Sequence, residues 1–188
     1  MYEIPFTGLI LAGLLDPGSA PSVYRALLVG LDPFVRAVDV LPVSAYCPSS
    51  GVDLVIEARL RDRRELLLIE HKWFTTASHV PRGRSDPEAL WQTDQAYIAV
   101  TSGNRCGWLM HETGPDLPAR FVVLDCYGRS MAQLYPGGLH NEEWAVTSYE
   151  QFGEVLRAEH EAGVRGLIPL LSILYAGSPE SKRDRTRR

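Results

Sequence analysis

The chain has 188 residues, 45% of them hydrophobic, and a net charge of −4 at pH 7. This length fits one domain with a real core, and the hydrophobic content excludes general disorder. The three cysteines are widely spaced and form no Cys-x-x-Cys pair, which excludes a disulfide framework and a cysteine zinc site. The histidines also lack metal-ligand spacing.

The N-terminal part of the chain predicts two helices and a strand. Residues 6–15 are apolar and end at Asp16-Pro17-Gly18, which indicates a short helix. Residues 21–31 place apolar side chains at helical spacing and predict a second helix. Residues 38–46 follow as the first strand.

Two apolar runs, residues 51–57 and 66–72, then predict an antiparallel hairpin across the short charged link 61–64. If Leu60 pairs with Glu65, each pair of opposite residues has numbers that sum to 125. Asp53 then lies opposite Lys72. Asp53 and Glu70 are diagonal neighbours, about 7–8 Å apart.

Alternation along the strands puts Asp53, Glu70 and Lys72 on one face of this hairpin, while His71 points to the other face. Two carboxylates and an ammonium at one end of an apolar sheet need a charge partner or a metal ion. Two interpretations remain open from spacing alone. One is a divalent cation between the carboxylates, and the other is a plain Asp53–Lys72 salt bridge with Glu70 solvated.

Beyond the hairpin, residues 75–85 predict a loop beside the site, and Asp86-Pro87 is a typical helix start for a helix that runs to Val100. On that helix, Gln92 lies near the sheet edge. The remaining expectations are strands at 107–111 and 120–126, and helices at 148–162 and 164–175, the second interrupted at Pro169. Together they predict an α/β domain over residues 1–176 and a disordered basic tail over 177–188.

No N-terminal stretch has the pattern of a signal peptide, and the apolar run 167–175 is too short to span a bilayer. We therefore expect a cytoplasmic protein without membrane association.

An aspartate at the start of one strand, followed by Glu-x-Lys at the end of the next, resembles the PD-(D/E)xK nuclease superfamily. Val52-Asp53 stands where the family has Pro-Asp, and Glu70-His71-Lys72 stands for (D/E)xK. Leu14-Leu15-Asp16-Pro17 is also similar to a subset of the family. The resemblance covers residues 8–126. It departs from the family in two respects. Residues 41–50 contain no acid and so supply no third acidic ligand, and the Gln-to-Tyr spacing on the following helix is looser than the family's.

The resemblance implies a restriction-endonuclease-like core, in which helices flank a mixed β-sheet. It implies Asp53, Glu70 and Lys72 as catalytic residues. The implied metal is Mg²⁺, for which Mn²⁺ can substitute, held by Asp53, Glu70 and the main-chain carbonyl of His71. The family's Gln and Tyr on the following helix imply supporting roles for Gln92, Gln95 and Tyr97, although Gln92 and Tyr97 are five residues apart, one more than a helical i, i+4 pair.

Arginines flank the hairpin and the next loop, and they predict a rim that contacts nucleic-acid phosphates: Arg61, Arg63, Arg64, Arg82 and Arg84. The alternative interpretation is that each of these arginines simply lies on a solvated turn or loop.

The resemblance therefore implies metal-dependent hydrolysis of phosphodiester bonds, with DNA as the expected substrate. The expected biological roles are defence, restriction or repair. We expect no added recognition domain, so sequence specificity would come from a recruiting protein partner or from DNA shape. A homodimer is expected because a double-strand cut needs two sites. Two alternatives remain open. One is a catalytically silent member that binds nucleic acid or a protein partner, and the other is an ordinary ion pair in an unrelated enzyme.

Overall fold

The computed structural model describes residues 3–36, 40–46, 52–60, 63–72, 90–101 and 117–177. The strands are β1 (Val40–Tyr46), β2 (Leu54–Leu60), β3 (Arg63–Lys72), β4 (Ala119–Asp125) and β5 (Trp144–Ser148). The helices are α1 (Glu3–Leu15), α2 (Ala20–Leu28), α3 (Gln92–Thr101), α4 (Met131–Leu134), α5 (Tyr149–Glu161) and α6 (Ile168–Gly177). Several predictions lie outside these ranges, namely the loop 75–85, the helix start at Asp86-Pro87, the strand 107–111, the tail from 178 onward, and Arg61, Arg82 and Arg84.

The five strands in the described residues form one mixed sheet in the order β1-β2-β3-β4-β5. β1, β2 and β3 are antiparallel neighbours, whereas β4 lies parallel to β3 and β5 lies parallel to β4. The parallel step from β3 to β4 needs a crossover, and α3 lies within it. An α/β fold with helices flanking a mixed sheet is therefore confirmed.

Helices cover both faces of the sheet and divide the core into two layers. In the first layer, α1, α2, α5 and α6 pack on side chains such as Ile56, Ile69 and Leu124. In the second layer, α3 and α4 pack on side chains such as Leu68 and Val123. The central strand β3 is consequently buried on both faces from Glu65 to Lys72, which explains its long apolar run.

The register of the hairpin differs from the prediction. Leu60 pairs with Arg63, and Leu54 pairs with Ile69, so paired residue numbers sum to 123 and the predicted pairing of Leu60 with Glu65 is wrong. Only two residues separate the strands, the commonest hairpin length, because the charged link extends β3 rather than forming a loop. A shift by two residues keeps every side chain on its predicted face.

The helices α1, α2 and α5 confirm the three helices predicted at residues 6–15, 21–31 and 148–162, within a few residues at each end. The expected interruption of the last helix is wrong, because α6 begins at Ile168 and Pro169 is its second residue. A proline in the first turn costs no helical hydrogen bond. The short helix α4 and the strand β5 were not predicted.

Gly30 lies where the chain after α2 touches β5. A Cβ atom there would lie 2.2 Å from the carbonyl oxygen of Val146 and 2.8 Å from Oγ1 of Thr147. We expect Gly30→Ala to lower the free energy of unfolding by about 1–3 kcal/mol, since β5 must shift to make room. Denaturant unfolding measures the change.

The matched control is Gly8→Ala in α1, because a Cβ there meets no atom within 4 Å. Alanine favours helix over glycine, so Gly8→Ala should raise stability by about 0.5–1 kcal/mol. A Gly30→Ala protein as stable as the original would contradict this packing of the α2 end on β5.

Candidate active site

Glu70 and Lys72 lie at the carboxyl end of β3 and face the second layer. Both are buried, with 2% and 7% of their surface exposed. Nζ of Lys72 lies 2.6 Å from Oε1 of Glu70, so the two form a buried ion pair. They share a face because they are two residues apart on one strand.

Asp53 lies beside this pair, one residue before β2. Its main-chain N–H donates to the carbonyl of Ile69, and its carboxylate accepts a 2.7 Å hydrogen bond from the main-chain N–H of His71. The side chain of Asp53 is exposed, unlike that of Glu70. In the observed register Glu70, not Lys72, is the next residue opposite Asp53. Asp53, Glu70 and Lys72 therefore come together at one end of the sheet, with the ion pair of Lys72 made to Glu70.

Of the three supporting residues on α3, only Gln92 reaches this site. Its side-chain amide donates to Oε2 of Glu70 over 3.3 Å. Gln95 donates instead to the carbonyl of Leu90. Tyr97 stacks on His140, with 4.4 Å between ring centroids, at a different part of the second layer.

Arg63 and Arg64 lie at the opposite end of β3 from Glu70. Arg64 is paired with Glu57, and Nη2 of Arg63 lies 3.7 Å from Oε2 of Glu65. Arg64 is six positions before Glu70 on the strand, which is about 20 Å at the usual rise. Arg63 and Arg64 are thus remote from the three site residues.

His71 faces the first layer, as alternation predicts, and anchors the strand there. Its Nδ1 and Oγ1 of Thr7 are 3.1 Å apart, its Nε2 is hydrogen-bonded to the hydroxyl of Tyr149, and the ring of Phe6 packs against it. Burial, reinforced by the charge of Lys72, lowers the pKa of His71 to about 3. His71 is therefore neutral at physiological pH, and its side chain fixes the residue whose N–H holds Asp53.

The neutral state of His71 makes stability depend on pH. Below pH 6.5 the unfolded chain binds a proton at His71 that the folded chain does not take up until about pH 3. The contribution of neutral His71 to the free energy of unfolding is therefore complete above pH 6.5. On acidification below pH 6.5 this contribution falls by about 1.4 kcal/mol per pH unit. Denaturant unfolding in chelator-containing buffer between pH 7.5 and 5 measures this slope.

His71→Gln should remove that part of the slope, while His160→Gln, at an exposed site, should retain it. Identical pH dependence in the original protein and in His71→Gln would rule out a neutral, buried His71.

Two further residues lie at this end of the sheet and carry no motif. Asp125 ends β4 alongside Lys72 and is fully buried. Its carboxylate accepts hydrogen bonds from the main-chain N–H groups of Tyr127 and Arg129 and from the guanidinium of Arg129. Tyr135 follows α4, and its ring centroid lies 5.9 Å from Nζ of Lys72. Asp125 lies near the end of a predicted strand, and this position could have marked it as a candidate site residue in the sequence. No comparable sequence signal marks Tyr135.

The donor set fits Mg²⁺ in one of its usual modes. This ion prefers oxygen ligands and is commonly held by one or two carboxylates, waters and substrate phosphates. Asp53 and Glu70 supply two carboxylates, and the carbonyl of His71 belongs to the same strand end. Within the part of the chain that the structure describes, no group of three or more His, Cys, Asp or Glu side chains is placed to hold a metal ion.

No protein-family model, curated protein or solved structure matches the chain. The likeness to PD-(D/E)xK nucleases therefore rests on the residues and geometry described above. Among the described helices, none is long and apolar enough to cross a membrane.

Proposed function

We propose that this protein is a magnesium-dependent nuclease whose active site consists of Asp53, Glu70 and Lys72. The observation that carries the proposal is their convergence at one end of the sheet, where the Lys72 ammonium lies 2.6 Å from Glu70 and Asp53 is open to solvent. A carboxylate pair with an adjacent amine is suited to metal-assisted cleavage of a phosphodiester by water, because the carboxylates can hold the cation and the ammonium can stabilise charge on the phosphate.

Each residue has a distinct role. Asp53 and Glu70 would hold Mg²⁺, which supplies positive charge to polarise the phosphate and to activate the attacking water. The main-chain N–H of His71 orients Asp53, and the amide of Gln92 orients Glu70. Lys72 stabilises the negative charge that grows on the phosphate, and it does so strongly because it is shielded from water.

The proposed substrate is DNA, with roles in defence, restriction or repair, as the resemblance implies. Mn²⁺ is expected to replace Mg²⁺, because both accept oxygen ligands. A homodimer or a recruiting partner would supply the sequence selection and the second cut that one such site does not provide.

The direct test is incubation of the purified protein with plasmid, linear and single-stranded DNA and with RNA, in Mg²⁺, in Mn²⁺ and in chelator. We expect the protein to cleave DNA in the presence of either metal and to cleave no DNA in the presence of chelator. Cleavage that is unaffected by chelator would exclude this site as its source.

One observation favours a second candidate, a silent protein that binds nucleic acid. Both oxygens of Glu70 are already occupied, Oε1 by Lys72 and Oε2 by Gln92. Calorimetry with Mg²⁺ separates the two candidates, because the nuclease must bind the ion and the silent protein need not. Nucleic-acid binding that is unchanged by Mg²⁺, without cleavage of any substrate, would favour the second candidate.

A further inference from the structure

Tyr135 is held rigidly beside the proposed active site. Its main-chain N–H donates to the carbonyl of Met131, and its own carbonyl accepts from the side chain of Asn141. The ring of Trp91 packs edge-on against the phenol ring, with 5.6 Å between centroids. Trp91 is fixed in turn by a hydrogen bond from its Nε1 to the carbonyl of Pro136. The phenol thus has one well-defined position.

The hydroxyl of Tyr135 has no hydrogen-bond partner in the described chain, although only 3% of the residue is exposed. A buried polar group without a partner is unfavourable and is uncommon in folded proteins. The ordinary pKa of a phenol is about 10, so the hydroxyl is protonated at neutral pH. Among the described residues it is a donor without an acceptor.

Two other tyrosines that are buried in the described part of the chain show how this fold satisfies a phenol with a structural role. Tyr24 donates to Oε1 of Glu65 over 2.8 Å, and the hydroxyl of Tyr149 is hydrogen-bonded to His71. Tyr135 differs from both because its hydroxyl has no partner among the described residues, while its ring lies beside the Lys72 ammonium. Its missing acceptor is best explained by a ligand that enters the site.

We propose that Tyr135 is a further catalytic residue, whose hydroxyl donates a hydrogen bond to a non-bridging oxygen of the phosphate that lies against Lys72. This inference rests on the proposed function, since it takes a phosphate ester as the substrate. The hydrogen bond strengthens as charge grows on that oxygen, and no proton is transferred. Tyr135 and Lys72 would together contact the phosphate, one through a neutral donor and the other through a charge.

The test compares Tyr135→Phe with Tyr24→Phe, since each change removes one buried hydroxyl. Tyr135→Phe should lower kcat by about 10²-fold, the usual effect of losing one donor to developing charge, with KM within about twofold of the original. Its Tm should not fall, because no protein partner is lost. Tyr24→Phe should lower Tm, since Glu65 loses a donor, and leave kcat unchanged. An unchanged kcat in Tyr135→Phe would overturn the inference and leave the proposed nuclease standing.

A second measurement works even if no nucleic acid is cleaved. Tyrosine labelled with ¹³C at Cζ gives a resonance for Tyr135 that is assigned by its loss in Tyr135→Phe. Inorganic phosphate with Mg²⁺ should shift this resonance, while the resonance of Tyr24 should stay. A shift without cleavage of any substrate would end the nuclease proposal but support a phosphate contact at Tyr135. In a protein that cleaves nothing, no shift would overturn the inference.

Discussion

Lys72→Met should lower kcat for DNA cleavage by about 10²- to 10³-fold, because it removes a positive charge next to the reacting phosphate. Methionine retains an apolar stem of similar length, so the packing of this buried position is largely conserved. The substitution leaves the buried Glu70 without its ion-pair partner and should also lower stability. Initial rates at saturating substrate, with unfolding curves of the same preparations, measure the two effects.

A double variant separates catalysis from folding. Lys72→Met combined with Glu70→Gln removes both charges, so stability should recover while cleavage stays lost. Arg25→Met is the remote control, since it breaks the ion pair with Glu159 on α5 and should leave kcat unchanged. Cleavage by the double variant at the original rate would show that the activity comes from another site.

Asp125→Ala is expected to lower the free energy of unfolding by about 3 kcal/mol without changing the affinity for Mg²⁺. Asp125 is buried at the same strand end as Lys72, so its position alone suggests a third metal ligand. Its oxygens are instead taken by Arg129 and by two main-chain N–H groups. Removing the carboxylate takes away the acceptor that the Arg129 guanidinium and two main-chain N–H groups share. Denaturant unfolding and calorimetric Mg²⁺ titration provide the two measurements.

The control for this change is Asp32→Ala. The carboxylate of Asp32 also accepts a main-chain N–H, that of Phe34, but at an exposed position. Its loss should cost about 1 kcal/mol or less. If Asp125→Asn folds normally yet loses Mg²⁺ binding, Asp125 is a ligand after all.

Sequence alone predicted the local elements well, because the signals for them are local. An apolar run that ends at Asp16-Pro17-Gly18 located α1, helical spacing located α2, and an amphipathic stretch located α5. Alternation along the hairpin assigned Asp53, Glu70 and Lys72 to one face. The hairpin register was wrong by two residues, since nothing in the charged link shows where pairing stops. The proposed site tolerated this error, because a shift by two preserves faces and only exchanged Lys72 for Glu70 as the nearest partner of Asp53.

The rest of the site depends on contacts distant in the chain. Asp125 comes beside Lys72 only through parallel pairing of β4 with β3, and Tyr135 follows a four-residue helix that no periodicity reveals. Gln92 and Tyr97 looked equivalent as helix residues, but the side chain of Gln92 reaches Glu70 whereas Tyr97 stacks on His140. Tertiary packing determines which of these side chains reaches the proposed site, and a local sequence pattern does not predict that packing.

The side chains of neighbouring residues on β3 lie in opposite layers of the core. This arrangement predicts which substitutions a screen for loss of activity would find. Glu70 and Lys72 of the proposed active site project to one side of the sheet, while His71 on the other side packs against Phe6 and is hydrogen-bonded to Thr7 of α1. If the proposed nuclease function is right, a screen for inactive clones should recover substitutions at Phe6 and Thr7, although both side chains lie on the opposite face from the proposed site. These substitutions would displace β3 and leave the proposed catalytic side chains themselves unchanged.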